Sequence, residues 1–319
     1  DFAVTGFNSD AIIIEFGNGD GSFSSRIEIN VGDGPVSVIA ADFNGDTYPD
    51  LAVANQLADS IVILTNDGFG GFPSQASYFV FSSPICLVSA DFDCDGDIDL
   101  AVGHLGENYA QYISILDNNG TGIFTGAEQY MFAGGIFSIE AADVDNDGAV
   151  DLIFANSYNY QIAVLPNNGD GSFGTIRTTP IEYLPGSLFG ADLDNDGDID
   201  LALINPGSNN LVLLTNNGAG YFKSHSAYPV GEMPSSIYGA DLEGDDDIDL
   251  VVSNKDTDNI SVLFNVGNGN FTAPIFYSVG DKPTAILAID ISGDDVPDLL
   301  IANEGSDDVS LLINKQSTD

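Results

Sequence analysis

Short apolar runs of four to seven residues, each closed by a cluster of Gly, Asn, Asp or Pro, succeed one another along the whole chain. Leu51-Ala52-Val53-Ala54 is followed by polar residues to Asp59, then Ile61-Val62-Ile63-Leu64, then the turn Asn66-Asp67-Gly68-Phe69-Gly70-Gly71-Phe72. Next come Ala76-Ser77-Tyr78-Phe79-Val80 and, after Ser82-Ser83-Pro84, an apolar run from Ile85 to Ala90. β-Branched and aromatic residues are enriched in these runs, and no segment sustains a 3.6-residue apolar period over three turns. The pattern therefore predicts strands and no helix. One unit holds four short strands. Its second and third are joined by a tight hairpin, because the turn recurs as Asn118-Asn119-Gly120, Asn167-Asn168-Gly169 and Asn216-Asn217-Gly218, where positive φ is easily reached.

Each unit also contains one acidic loop, Asp-x-(Asp/Asn/Glu/Ser)-x-Asp-x-x-x-Asp, starting at Asp42, Asp91, Asp143, Asp192, Asp241 and Asp290. The starts are separated by 49, 52, 49, 49 and 49 residues. A period near fifty residues built from short strands points to a solenoid or a propeller. A four-stranded antiparallel unit cannot bury both faces alone, and radial stacking buries them while leaving few edges. The predicted fold is therefore all-β, a β-propeller of four-stranded antiparallel blades. If a blade is strand A, acidic loop, then strands B, C and D, the chain supplies B, C and D from Asp1, five complete blades from about Pro35, and A, B and C ending at Asn314. That makes 26 strands in seven blades, with incomplete first and last blades. Six blades, closed by the first D strand beside the last A, B and C, is the alternative, and it leaves residues 1–16 redundant. The chain reads as a single propeller domain over 1–319, with repeats starting near 1, 50, 99, 151, 200 and 249, a partial repeat at 298–314 and a tail at 315–319.

The loops are dense in oxygen donors. Within Asp91 to Asp99, acids at positions 1, 3, 5 and 9 can converge on one centre, the position 7 carbonyl is a further ligand, and Gly96 permits the sharp turn. Carboxylates and carbonyls are hard donors, and no His or thiolate is placed to help, so Ca²⁺ is favoured over Zn²⁺ or copper. A crowded, flexible cage also suits calcium better than magnesium. The first half of the loop is EF-hand-like, but that motif needs a Glu at its twelfth position and flanking helices, whereas here a strand follows at once. The candidate ligands are Asp42, Asn44, Asp46, Tyr48 and Asp50; Asp91, Asp93, Asp95, Asp97 and Asp99; Asp143, Asp145, Asp147, Ala149 and Asp151; Asp192, Asp194, Asp196, Asp198 and Asp200; Asp241, Glu243, Asp245, Asp247 and Asp249; and Asp290, Ser292, Asp294, Val296 and Asp298. About six calcium sites are expected. They are not expected to be equal, since Asn44 and Glu243 replace Asp and Ser292 brings no acid at position 3.

Composition sharpens this picture. With 49 acidic and 6 basic residues the net charge is -43, which repels nucleic acid and anionic lipid, so a polyanion-binding role and membrane insertion are not expected. More than half of the acids lie inside the six loops, a concentration that general acidification of a surface does not produce. Cys86 and Cys94 provide no disulfide framework; two free or buried thiols is one reading, a local bridge the other. There is no signal-peptide pattern and no run of eighteen apolar residues, so the chain reads as mature and soluble. Asn119-Gly120-Thr121, Asn259-Ile260-Ser261 and Asn270-Phe271-Thr272 fit the glycosylation pattern, as chance allows in a chain this rich in Asn and Gly.

The repeat Ala-Asp-x-Asp/Asn-x-Asp-Gly-x-x-Asp-Leu, preceded by a Pro-containing strand and followed by Asn-x-Gly-x-Gly-x-Phe, resembles the FG-GAP/VCBS repeat family of integrin α-subunit propellers and many microbial surface proteins. The likeness covers nearly the whole chain. It implies a seven-bladed, integrin-like propeller with calcium in the A to B loops, held at Asp42, Asn44, Asp46 and Asp50 and at matching positions in the other five loops. The departure is at Asp1, which matches only the final position of a seventh loop, so that an upstream strand or another chain would complete that blade. The resemblance implies a secreted or cell-surface binding or adhesion module for protein or glycan. The alternatives are a structural subunit that completes its terminal blades with neighbouring chains, and a lectin or non-catalytic part of a polysaccharide-active enzyme.

In an antiparallel blade the B to C and D to A loops lie at the end of the ring opposite the acidic loops. The B to C loop of the third repeat holds the three extra residues, and with the next loop it offers His104, Tyr109, Tyr112, Tyr158 and Tyr160 as candidate ligand-binding side chains. His104 stands where other repeats have Asn55, Asn156, Asn205, Asn254 and Asn303, which makes a turn-capping polar residue the better reading of it. His225 stands alone, Lys and Arg are sparse, and no nucleophile and base recur at a telling spacing, so the chain is not expected to be an enzyme.

Overall fold

The computed structural model describes residues 1–106 and 110–315, and among them every regular element is a β-strand. Blade one holds β1 (Phe2–Gly6), β2 (Ala11–Gly17) and β3 (Phe23–Asn30). Blade two holds β4 (Pro35–Ala41), β5 (Asp50–Asn55), β6 (Ser60–Thr65) and β7 (Ser74–Phe79). Blade three holds β8 (Pro84–Ala90), β9 (Asp99–His104), β10 (Ala110–Asn118) and β11 (Phe124–Ala133). Blade four holds β12 (Ile136–Ala142), β13 (Asp151–Asn156), β14 (Gln161–Leu165) and β15 (Arg177–Pro180). Blade five holds β16 (Leu188–Ala191), β17 (Asp200–Asn205), β18 (Asn210–Asn216) and β19 (Phe222–Pro229). Blade six holds β20 (Pro234–Ala240), β21 (Asp249–Asn254), β22 (Asn259–Leu263) and β23 (Ile275–Ser278). Blade seven holds β24 (Pro283–Ile289), β25 (Asp298–Asn303) and β26 (Asp308–Leu312). The sheets are five of four strands and two of three, each paired in chain order, so the protein is a seven-bladed β-propeller with incomplete end blades, as the repeat arithmetic predicts. The six-bladed alternative is excluded, because residues 1–16 build β1 and most of β2 in a blade of their own.

The burial of each strand follows from its radial place. The B strands β5, β9, β13, β17 and β21 are buried at every residue, because each blade packs on both of its faces. Alternation is therefore lost and the sequence reads as a continuous apolar run such as Leu51-Ala52-Val53-Ala54. The outer D strands keep it: in β7, Ala76 and Tyr78 turn inward while their neighbours are exposed. Pro35, Pro84, Pro234 and Pro283 open inner strands, and the ladder slips just after each one, where a residue lacking an N–H is tolerated.

Six apolar cores fill the six junctions from blade one through blade seven. Ile12 and Ile14 of blade one pack with Val53 and Leu64 of blade two, and the series ends with Val251 and Ile260 of blade six against Ile286 and Ile301 of blade seven. Polar clasps cross the same junctions. The side-chain amides of Asn118, Asn167, Asn216, Asn265 and Asn314 each donate to the carbonyl of the second residue of the preceding blade's acidic loop, at 2.7–2.9 Å. The ring closes where Gly21 N–H of blade one donates to the Ile291 carbonyl of blade seven at 3.1 Å, the counterpart of Gly269 N–H to the Leu193 carbonyl between blades five and six at 3.2 Å.

Candidate metal centres

Each acidic loop runs from an A strand into a B strand, and its first Asp holds the turn. Asp91 Oδ1 accepts Asp95 N–H at 3.1 Å and its Oδ2 accepts Gly96 N–H at 3.0 Å. Asp143, Asp192, Asp241 and Asp290 accept from the same two loop positions. The backbone reverses through left-handed residues at positions 4 and 6, such as Cys94 at φ 60° and Gly96 at φ 96°. Position 6 needs no glycine in the first loop, where Thr47 takes φ 74° despite its branched Cβ.

The ninth-position Asp ties the loop to its blade. Asp99 Oδ1 accepts the N–H of Asn118, which ends strand C, at 2.7 Å, and Asp99 Oδ2 accepts Phe92 N–H at 3.0 Å. Asp151, Asp249 and Asp298 make the same pair of bonds. Asp50 and Asp200 keep the first bond, while Oδ2 of each is buried without a partner. All six carboxylates are buried. Burial, opposed by these N–H donors, pushes Asp99, Asp151, Asp200 and Asp249 up to about 6, with neighbouring loop acids adding to the rise.

Three loops bring three carboxylates together. Oxygens of Asp91, Asp93 and Asp99, of Asp143, Asp145 and Asp151, and of Asp192, Asp194 and Asp200 lie within 4.8 Å of one another in each group. These are the loops with Asp at position 3. In the other three that position is Asn44, Glu243 or Ser292, and no such group forms there among the described residues. The fifth-position acids stand outside these groups and accept the N–H of position 7, as Asp95 does from Asp97 at 2.9 Å and Asp147 from Ala149 at 2.9 Å. All-oxygen donors with buried, unpartnered oxygens at Asp50 and Asp200 fit a hard cation. One group has a competitor: Arg177 Nη1 lies 2.8 Å from Asp145 Oδ2. Sequence reasoning missed Arg177, which sits 32 residues away on β15 and belongs to no motif. Adjacent loops are also joined, Asn146 Nδ2 donating to Asp198 Oδ1 at 2.8 Å and Asn195 Nδ2 to Asp247 Oδ1 at 2.6 Å.

At the other end of the ring the candidates separate. His104 is fully buried at the end of β9, and burial pushes it down to about 4, so it is neutral and faces the interior. This corrects its reading as a ligand-facing side chain; the imidazole occupies the interior place that Asn55 fills in blade two. Tyr112 is half-buried, its ring 4.5 Å from that of Phe81. Tyr158 and Tyr160 are exposed at 56% and 50% on the neighbouring loop. Tyr109 lies outside the described residues. Both cysteines are free, so the local bridge does not form, and burial pushes the Cys86 thiol up to about 12.

The FG-GAP-like repeat family matches residues 1–53, 42–102, 91–154, 143–202, 192–252 and 241–301. A comparison with curated proteins finds no match. Among solved structures, the periplasmic gluconolactonase of Pseudomonas aeruginosa shares the fold with a TM-score of 0.69 at 14% identity, over 96% of this chain and 90% of that one. A lectin from Agrocybe aegerita that recognises non-reducing terminal N-acetylglucosamine has a TM-score of 0.57 at 17% identity, over 96% and 90%. BBS1N, solved in complex with ARL6DN, has a TM-score of 0.63 at 15% identity, over 100% and 92%. At these identities the likeness is one of fold. The expectation that the chain is not an enzyme is nonetheless corrected, because a gluconolactonase is built on this same ring. Scarcity of His, Lys and Arg was too weak a ground for excluding catalysis.

Proposed function

The chain belongs to the FG-GAP-like repeat family, and on that premise we propose that it is a calcium-stabilised propeller acting outside the cell or at its surface as a binding module for protein or glycan. The observation that carries this reading is the convergence of carboxylates from positions 1, 3 and 9 in three successive loops. Asp91, Asp93 and Asp99, helped by Asp95 and the Asp97 carbonyl, would hold one ion; Asp143, Asp145 and Asp151 and then Asp192, Asp194 and Asp200 would hold the next two. The loops with Asn44, Glu243 and Ser292 would bind more weakly. When bound, calcium supplies positive charge to buried carboxylates that otherwise repel one another. The protein's own part is to fix the donors: the first Asp gathers loop N–H groups, and the ninth anchors the loop to strand C.

Partner binding falls, in this reading, to the loops at the opposite end, where Tyr158 and Tyr160 are exposed in blade four and Tyr112 of blade three packs on Phe81. Rigid aromatic faces on adjacent loops suit stacking on a sugar ring or gripping a peptide. Calorimetric titration of Ca²⁺ into chelator-treated protein, with melting followed in parallel, tests the metal half: binding with a raised melting temperature is expected, and an unchanged melt with no heat would sink it. A glycan array probed in calcium tests the partner half, with Tyr158→Ala expected to weaken any hit.

A further inference from the structure

We propose that side chains standing beside the third-position Asp set how tightly each acidic loop holds its cation, so that Arg177 makes the centre of blade four the weakest of the three and Glu128 helps make that of blade three the tightest. The inference rests on the calcium reading above and names what grades those sites.

The place is fixed by register. Phe124 of β11 and Phe173, which precedes β15, each donate the backbone N–H to a tyrosine hydroxyl of the preceding blade, Tyr78 and Tyr130, at 3.3 Å. Four residues further along the chain stand Glu128 and Arg177, opposite Ile115 and Val164 of their C strands. In blade five the same place, opposite Leu213, belongs to Ser226. Three groups alike in carrying Asp at positions 1, 3 and 9 therefore meet an acid, a base and an uncharged residue.

In blade four a positive charge already rests on a candidate ligand. Arg177 Nη1 lies 2.8 Å from Asp145 Oδ2 and donates to the Ala219 carbonyl of blade five's hairpin at 3.4 Å, so the guanidinium sits between the loop and the next blade. The Asp145 side chain is only 14% exposed, and its Oδ1 is buried without a hydrogen bond. One oxygen is thus open to an ion, but a divalent cation taking it meets a fixed like charge on the other oxygen of the same carboxylate. That repulsion acts where water screens it poorly, and it lowers the affinity of this centre.

In blade three the surroundings have the opposite sign. Beside Asp93 lies a cavity of about 150 Å³ that is also lined by Asp117, Glu128 and Asp170, with no basic side chain among its described walls. The counterparts of those three acids around the blade-four loop are Pro166, Arg177 and Ala219, and around the blade-five loop Thr215, Ser226 and Asn268. The added negative potential draws a divalent cation to Asp91, Asp93 and Asp99, and the number of negative groups around a calcium loop is one of the levers on its affinity. As calcium falls, the blade-four centre empties first, and Arg177 then remains as the counter-ion that keeps its carboxylates together. The blade-three centre, which has no such substitute, empties last.

Hydrogen exchange followed through a calcium titration of chelator-treated protein reads the midpoint of protection separately for residues 91–99, 143–151 and 192–200. Protection is expected to arise in the order 91–99, 192–200, 143–151 as calcium increases. Arg177→Met should lower the midpoint of 143–151 at least about tenfold and leave the other two in place, while Arg177→Lys, which keeps the charge, should hold it within about threefold. In chelator the Met variant should melt below the unsubstituted chain, because Asp145 loses its counter-charge. An arginine that merely braces the junction would lower the melt in chelator and calcium alike with the midpoint unmoved, and that result overturns the proposal. If Arg177→Met fails to fold, Glu128→Gln decides: it should raise the midpoint of 91–99 about threefold or more, and an unchanged midpoint overturns the proposal. Equal midpoints in the three loops overturn this grading alone, whereas no response to calcium at any loop sinks the calcium reading and the grading with it.

Discussion

A ninth-position aspartate such as Asp200 answers to two demands. Its Oδ1 must accept the Asn216 N–H that ends strand C, and its carboxylate, with Oδ2 buried and making no hydrogen bond, puts an oxygen within 4.8 Å of carboxylate oxygens of Asp192 and Asp194. Without a cation the cheapest relief is a proton, which is why burial raises Asp99, Asp151, Asp200 and Asp249 to about 6 from an ordinary 3.8. The sign for stability follows: the folded state holds more protons than the unfolded state between those values, so stability is present below the lower one and lost as pH rises through the upper. In chelator the melting temperature is expected to fall as pH rises from about 4 to about 7, and calcium should remove that fall. Melts across this range in chelator and in calcium check it; matching profiles would count against cation sites at these residues. Asp200→Asn separates the two demands, since the amide oxygen still accepts from Asn216 while the charge is gone. It should leave the chelated protein as stable or slightly more so, yet reduce the bound calcium by about one ion and shrink the calcium-induced rise in melting temperature.

At the scale of the loop, the side chain at position 3 decides whether three carboxylates meet. Asp93, Asp145 and Asp194 complete groups; Asn44, Glu243 and Ser292 do not. Ser292→Asp should therefore add a calcium-binding centre to the last loop and raise the melting temperature in calcium while lowering it slightly in chelator. Calorimetric stoichiometry reads the first effect, and an unchanged ion count would show that position 3 is not decisive. Much of this was legible beforehand. The strand count and the loop register follow from spacing alone, because blades packed on both faces erase alternation and leave clean apolar runs. Three features were not legible. Asn118 and its counterparts read as turn formers, but their side chains reach loop carbonyls 72 or 75 residues back, a distance no local pattern encodes. Arg177 reaches Asp145 from a different strand of its blade. His104 read as a candidate contact because it opens the lengthened loop of the third repeat, whereas the structure buries it at the end of β9 and burial keeps it neutral.

For the molecule as a whole, a ring is only as cooperative as its weakest junction. Six junctions are sealed by apolar cores. The seventh has a cleft of about 1200 Å³, a Glu in a leucine position, and backbone closure through Gly21 and Ile291 without the Asn clasp, because Gly17 stands where Asn66 stands in blade two. Local opening should therefore start there and spread inward through the blades. In native-state hydrogen exchange, amides of β1 and β26 are expected to exchange first, those of β13 and β14 in the opposite blade last, with intermediate blades graded between. Calcium should deepen the gradient rather than flatten it, because the three carboxylate groups lie in blades three, four and five, far from the cleft, and stabilise the side of the ring that is already closed. Uniform exchange across all blades would mean that the seventh junction is sealed in solution.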